Sequence, residues 1–294
     1  MRTWIRRGVG ALLALALAAA AAVAIGLLLA ERKAQRRIAV NVQPVAVPTD
    51  AASLERGRYL FTSRGCADCH GAAGTGRRFV DGGESLQLAG PAIARGEGTN
   101  TARYNVVDWV RTVRHGIKPD GTPLRVMPSE DYNRLTDVDL GAVVAYVQSL
   151  PSVPAQAAVI RLPLPARVLY GFGQMPDAAD KIDHTLPPQQ PVSEGVTLEH
   201  GKYVANMCLG CHGMTLAGGR IPGAPPDWPP AARLAGEGNV VKAHYANVQT
   251  FLDMLKSGKR SDGRAIAVMP FEALSKLSDT DARALHLYLT SLRP

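Results

Sequence analysis

Two Cys-x-x-Cys-His pentapeptides constrain this chain more than anything else in it. Cys66-Ala67-Asp68-Cys69-His70 and Cys208-Leu209-Gly210-Cys211-His212 lie 142 residues apart. Fifty-seven residues after each histidine stands a Met-Pro pair, at Met127 and Met269. The pentapeptide is the attachment signature of c-type haem, two thioether anchors followed by an imidazole for the iron. A methionine sulfur on the other face completes the Met/His pair that raises the iron's reduction potential. The sequence thus predicts two covalently bound haem c groups. Cys66, Cys69, Cys208 and Cys211 are the anchors, His70 and His212 the proximal ligands, Met127 and Met269 the distal ones. The four cysteines of the chain are all used.

Other uses of paired cysteines fit less well. Zinc sites built from two such pairs usually separate them by roughly 15–20 residues, and they leave the adjoining histidines unexplained. A thioredoxin-like redox pair needs a strand-helix-strand setting, whereas Gly- and Arg-rich loop follows Cys69. Structural disulfides would not call for the histidines either.

The first 37 residues differ in kind from the rest. Arg2, Arg6 and Arg7 precede an uncharged stretch of 23 residues, Gly8 to Ala30, rich in Leu and Ala; Glu31, Arg32, Lys33, Arg36 and Arg37 follow. About 20 apolar residues in a helix cover the hydrocarbon core of a bilayer, so an uncleaved membrane anchor is expected. A cleaved signal peptide is the competing reading, with small residues for cleavage within 18–24. Basic flanks on both sides leave the charge rule for orientation undecided. Because c-type haem is attached outside the bacterial cytoplasmic membrane, the bulk of the chain is expected in the periplasm.

The net charge of +8 invites a nucleic-acid reading that its distribution removes. Residues 1–37 carry +6 of it, and the remaining +2 would be turned acidic by the propionates of two haems. A duplex-binding face needs a stronger basic stripe. Aromatic residues make up only 5%, and a porphyrin in each half would supply much of the missing apolar surface.

The repeat extends beyond the attachment motifs. His115-Gly116 and Asp120-Gly121 correspond to Ser257-Gly258 and Asp262-Gly263, Trp109 to Phe251 and Tyr146 to Tyr288, all at an offset of 142. Leu54-Glu55-Arg56-Gly57-Arg58-Tyr59 matches Leu198-Glu199-His200-Gly201-Lys202-Tyr203 at 144. Helices are predicted over about 51–64 and 195–207, each running into an attachment motif. Another begins near Thr136, with Thr136 and Asp139 in capping-box spacing, and stops at Pro151. Its apolar residues Leu140, Val143, Val144, Val147 and Leu150 share one face. Its counterpart begins at Ser278 with Asp281. Sustained polar–apolar alternation is missing, so the fold class expected is all-α.

The organisation expected is a membrane anchor over 1–37, a spacer over 38–50, a haem domain over 51–151, a linker over 152–194 and a second haem domain over 195–294. Eight prolines between 151 and 194 argue against regular helix in the linker. The other five histidines, His115, His184, His200, His244 and His286, lack a histidine at the matching position and read as surface or hydrogen-bonded residues. Met254 reads as core. The carbonyls of Pro91 and Pro230 are candidates to orient the proximal imidazoles.

Taken together these residues resemble tandem class I cytochrome c domains, and specifically the cytochrome subunits of membrane-bound bacterial alcohol, aldose and gluconate dehydrogenases. The distal half of such a domain is mirrored by Arg114-His115-Gly116, Pro119-Asp120-Gly121, Met127-Pro128-Ser129 and Leu135-Thr136-Asp137. The resemblance implies a close crossing of the first and last helices of each domain, at Gly57 with Tyr146 and at Gly201 with Tyr288. It also implies a non-catalytic electron relay. The donor would be a dehydrogenase or quinol-linked complex, the acceptor a soluble cytochrome or terminal oxidase. Those subunits typically carry three attachment motifs, and this chain has two. A catalytic dihaem enzyme, peroxidase-like or thiosulfate-oxidising, is the alternative; it requires a displaceable axial ligand on one iron.

Overall fold

A computed structural model describes residues 2–221, 224, 225 and 227–293. Helix α1 (Arg2–Gln35) contains the uncharged stretch. The first half holds α2 (Ala51–Ser63), α3 (Cys66–His70), strands β1 (Arg77–Asp81) and β2 (Gln87–Gly90), α4 (Val106–His115), α5 (Ser129–Tyr132) and α6 (Asp137–Ser149). The connecting segment holds β3 (Val159–Arg161), α7 (Leu164–Gly171) and α8 (Ala178–Lys181). The second half holds α9 (Leu198–Ala205), a short 3₁₀ turn over 206–208, α10 (Leu209–His212), α11 (Val240–His244), α12 (Val248–Ser257), α13 (Phe271–Leu274) and α14 (Asp279–Ser291).

Local chemistry sets most of these boundaries. Asp50 caps α2 by accepting from the Ser53 amide at 2.9 Å. Asn105 and Asp108 form a full capping box on α4, and Asn247 caps α12. Both of those helices end on a glycine in the left-handed region, Gly116 (φ 67°) and Gly258 (φ 69°), where other residues are strained.

The buried apolar residues fall into two clusters. One gathers Leu60, Phe61, Trp109, Val110, Leu140, Val143, Val144 and Val147; the other gathers Val204, Phe251, Leu252, Leu255, Leu285 and Leu289. Each fully buried Leu or Phe contributes about 1.5–3 kcal/mol. In the first cluster α2 crosses α6, and in the second α9 crosses α14. Glycine is required at both crossings. A Cβ on Gly57 would overlap the Ala142 carbonyl and sit 2.8 Å from Tyr146 Cβ. One on Gly201 would overlap Ala284 and sit 2.7 Å from Tyr288 Cβ.

The structure departs from the all-α expectation. β1 and β2 form an antiparallel hairpin, Arg77 opposite Gly90, and β3 adds antiparallel to β2. Their polar and glycine-rich sequences carry no alternating pattern, so the pairing is a tertiary effect. The sheet lies against α3, and Gly90 lets β2 approach the Cys69 carbonyl. Among the described residues the second half has only an isolated bridge, Gly219 with Ala231, at the corresponding place.

The Pro-rich linker is also more ordered than expected, with two helices. Pro163 precedes α7 and Pro165 falls within its first turn, where a missing N–H costs nothing. Residues 38–50 are packed rather than free: Val45 is buried in the first cluster, and Gly141 admits the Ala46 carbonyl beside α6.

Candidate haem-attachment sites

The first attachment pentapeptide forms the helical turn α3; the second runs from Cys208, at the end of the 3₁₀ turn, through α10. Each is closed by a glycine of positive φ, Gly71 or Gly213. His70 Nδ1 donates to the Pro91 carbonyl at 3.0 Å. His212 Nδ1 donates to the Ala232 carbonyl at 2.7 Å. A proton held on Nδ1 leaves Nε2 as the lone-pair nitrogen, the tautomer an iron ligand needs.

The Pro91 carbonyl is therefore where the sequence placed it, whereas Pro230 is replaced by Ala232. In the second half the Gly219–Ala231 bridge holds the loop, which carries the Ala232 carbonyl, and not Pro230, to the imidazole. The framework around the two loops is otherwise matched. The Gly76 amide donates to the His70 carbonyl and the Gly218 amide to the His212 carbonyl, at 2.8 and 2.9 Å. The Ile93 and Ala94 amides converge on the Gly74 carbonyl as those of Leu234 and Ala235 do on Leu216. Among the described residues Leu216 is the non-glycine residue with positive φ (57°), at the position of Gly74.

The four cysteines of the pentapeptides are not joined in disulfides. Burial pushes Cys66 and Cys208 up to about 12 and Cys69 up to about 11, and raises Cys211 as well. A thiol–disulfide exchange pair needs the opposite, a stabilised thiolate. Burial lowers both His70 and His212 against the pull of their carbonyl partners, favouring the neutral, ligating form.

Met127 packs on the cluster that also borders Cys66 and Ala67; Met269 packs on the cluster that borders Cys208 and Leu209. Each candidate methionine thus shares a core with its own attachment loop. Met254 is buried core, and Met214 is 62% exposed. The remaining histidines have other partners or stay exposed. His115 and His184 meet through their Nδ1 atoms at 3.0 Å, and His286 Nε2 donates to the Tyr245 carbonyl at 2.8 Å. His244 is exposed, and His200 is buried against Asp281 at 2.7 Å.

The residues that sequence reasoning missed join the two halves. Tyr59 of α2 donates to Asp281 at 2.6 Å and accepts from the Ser278 amide at 3.0 Å. Reciprocally, Tyr203 of α9 donates to Asp139 at 2.6 Å and accepts from the Thr136 amide at 3.2 Å. Each tyrosine belongs to the helix before an attachment loop, and each carboxylate to the last helix of the other half. Asp139 also takes Arg56 at 2.9 Å; Asp281 takes Arg64 at 2.6 Å together with His200.

The attachment turns lie beside this joint. α13 packs on α3 and α5 on α10. The Gly210 amide donates to Asp131 at 2.6 Å, and Arg77 bridges to Glu272 at 2.7 Å. Burial pushes the Asp131 carboxyl up to about 8 against the pull of that amide.

The cytochrome c family model matches residues 54–151. The chain is 27% identical over 291 residues to the fructose dehydrogenase cytochrome subunit of Gluconobacter japonicus, covering 86% of this chain and 56% of that one. It is 27% identical over 310 residues to the cytochrome c subunit of the quinone alcohol dehydrogenase of Gluconobacter oxydans, covering 90% and 62%. Over 114 residues it is 32% identical to the gluconate 2-dehydrogenase cytochrome c subunit of Pantoea cypripedii, covering 36% and 25%. The chain thus spans little more than half the length of the first of these relatives.

Proposed function

We propose that this chain, whose residues 54–151 form a cytochrome c domain, is a dihaem electron carrier tethered to the bacterial inner membrane, serving a dehydrogenase as its electron-transfer subunit. The observation that carries the reading is the duplicated cradle. Twice, a Cys-x-x-Cys-His turn has its histidine fixed through Nδ1 by a backbone carbonyl, beside a core that also seats a Met-Pro methionine.

Bound there, haem supplies one-electron exchange without a substrate having to reach the iron. The protein's own residues do the rest. Cys66 and Cys69, and Cys208 and Cys211, would hold the group covalently. Pro91 and Ala232 fix the rings of His70 and His212. Met127 and Met269 would each offer a soft sulfur, which favours the reduced state. Held by a histidine and a methionine, each group would suit electron transfer rather than catalysis. The Tyr59–Asp281 and Tyr203–Asp139 exchange holds the two attachment loops in one joint.

Helix α1 is long and apolar enough to cross a membrane. In this reading it spans the inner membrane once, with the haem domains on the periplasmic side. The dehydrogenases named for the relatives suggest the donor. The acceptor would be a soluble cytochrome or a terminal oxidase.

The test uses the full chain, affinity-tagged and solubilised in detergent from its host. It should co-purify with a dehydrogenase and be reduced anaerobically when that enzyme's substrate is added. Both halves should take up reducing equivalents. Isolation without any dehydrogenase, or a haem spectrum indifferent to the substrates of the host's membrane dehydrogenases, overturns the assignment.

A further inference from the structure

We propose that α7 is a second membrane element, lying in the leaflet on the haem-domain side with Leu164, Leu169 and Phe172 facing lipid. The inference rests on the reading of α1 as a membrane span and deepens it.

α7 packs along α1, and two glycines let them approach. A Cβ on Gly26 would stand 2.8 Å from Val168 Cγ1 and 3.1 Å from Phe172 Cε2. One on Gly171 would overlap the Gly26 carbonyl and stand 2.9 Å from the Ala30 amide nitrogen. Small residues that let backbones approach this closely are the usual means of packing helices in lipid. Val23, Gly26, Leu27, Leu29 and Ala30 are the positions of α1 shielded over this length, while Ala24, Ile25 and Leu28 stay exposed.

Those shielded positions belong to the end of the uncharged stretch. From Val23 to Ala30 is about 10 Å along a helix at 1.5 Å per residue. An element held beside that length lies at the depth typical of interfacial helices, about 5–10 Å into the headgroup and acyl boundary.

The exposed face of α7 has the matching chemistry. Leu164 and Leu169 are each 49% exposed and Phe172 is 46% exposed. Arg161 and Arg167 are exposed as well and have stems long enough to reach lipid headgroups.

Polar contacts fix the depth on the outer side. Lys33 Nζ donates to the Met175 carbonyl at 2.7 Å and lies 4.4 Å over the Tyr170 ring. Arg36 donates to Asp177 and Asp180, each at 2.6 Å, and Asp177 also accepts from Tyr170 at 3.0 Å. This cluster follows the apolar stretch directly, where a membrane surface would fall. It ties α7 to α1, so an α1 seated in the bilayer carries α7 in with it.

Site-directed spin labelling of the full, haem-loaded chain tests this in phosphatidylethanolamine–phosphatidylglycerol vesicles. Cysteines are introduced singly as Leu17→Cys, Leu169→Cys and Phe172→Cys, the native ones being held as thioethers, and labelled with a nitroxide. Accessibility to oxygen, which partitions into lipid, is compared with accessibility to a water-soluble nickel chelate. The expected result is a deep label at 17, with labels at 169 and 172 about 5–10 Å below the phosphates. A deep label at 17 with 169 and 172 open to the chelate overturns the α7 proposal and leaves the anchor standing. Protection of 169 and 172 from both relaxants means protein covers α7, and also overturns it. A label at 17 open to the chelate removes the anchor itself, and the α7 proposal with it.

Discussion

Asp281→Ala should destabilise this protein more than substitutions at its exposed ion pairs. The carboxylate is fully buried and receives the Arg64 guanidinium, the His200 ring and the Tyr59 hydroxyl. Removing it leaves a buried cation and two polar groups without their partner. Breaking a buried pair in this way costs about 3–5 kcal/mol. Among the described residues His200 Nδ1 already has no partner, so that ring would lose its last hydrogen bond. Arg283→Ala, which breaks an exposed pair with Asp279, should cost less than about 1 kcal/mol. Urea unfolding of both variants reads the difference directly. Equal midpoints for Asp281→Ala and Arg283→Ala would show that the joint contributes little.

The same site carries a pH dependence whose sign is fixed. Burial would raise the Asp281 carboxyl, but Arg64 and the hydrogen bonds from Tyr59, Arg64 and His200 outweigh it and hold the group at about 2. An unfolded aspartate titrates near about 3.9. The folded value being lower, the stabilisation is complete above the unfolded value and is lost as pH falls through about 2. The gap in stability between wild type and Asp281→Asn should therefore be constant from pH 7 to 5 and narrow from pH 4 to 2. A gap that widens on acidification would contradict the assignment of charge.

The second large effect is expected at the methionines. Met127→Ala and Met269→Ala should each lower one haem's potential by more than about 60 mV, a tenfold shift for a one-electron couple. Each should also open that iron, when reduced, to carbon monoxide. The variants act on separate cores, so each should alter one component of a potentiometric titration and leave the other in place. Wild-type potentials and no carbon monoxide binding in both variants would reject the two sulfurs as ligands. One normal variant would reassign that half alone.

How much of this was legible in the sequence depends on the range of the interaction. The helices were legible because caps and apolar faces are local: Thr136 and Ser278 accept from the amides of Asp139 and Asp281 as their spacing implies. The carboxylates of those aspartates were not. A capping box would turn each back to its own cap, yet each takes a tyrosine from the other half, and that tyrosine takes the cap's free amide. Tyr59 and Tyr203 stood in the repeat, and their recurrence alongside the two aspartates was the available signal. Nothing local says which half an aspartate faces.

The β1–β2–β3 sheet was hidden for a related reason. Arg77, Arg78, Gly82 and Gly83 carry no strand pattern, and β3 reaches β2 from some 70 residues away. α7 was hidden by proline counting, which weighed Pro163 and Pro165 as breakers when their positions at a helix start make them compatible with one. Ala232 took the place of Pro230 because loop geometry, not residue type, decides which carbonyl meets an imidazole.

Two haems carried by one chain are the central expectation for this protein. Intact-mass analysis of the purified protein, with a pyridine haemochrome assay on the same sample, measures this directly. Two covalently bound haems per polypeptide are expected, with one lost in Cys66→Ala/Cys69→Ala and the other in Cys208→Ala/Cys211→Ala. One haem or none on the wild-type chain would contradict it.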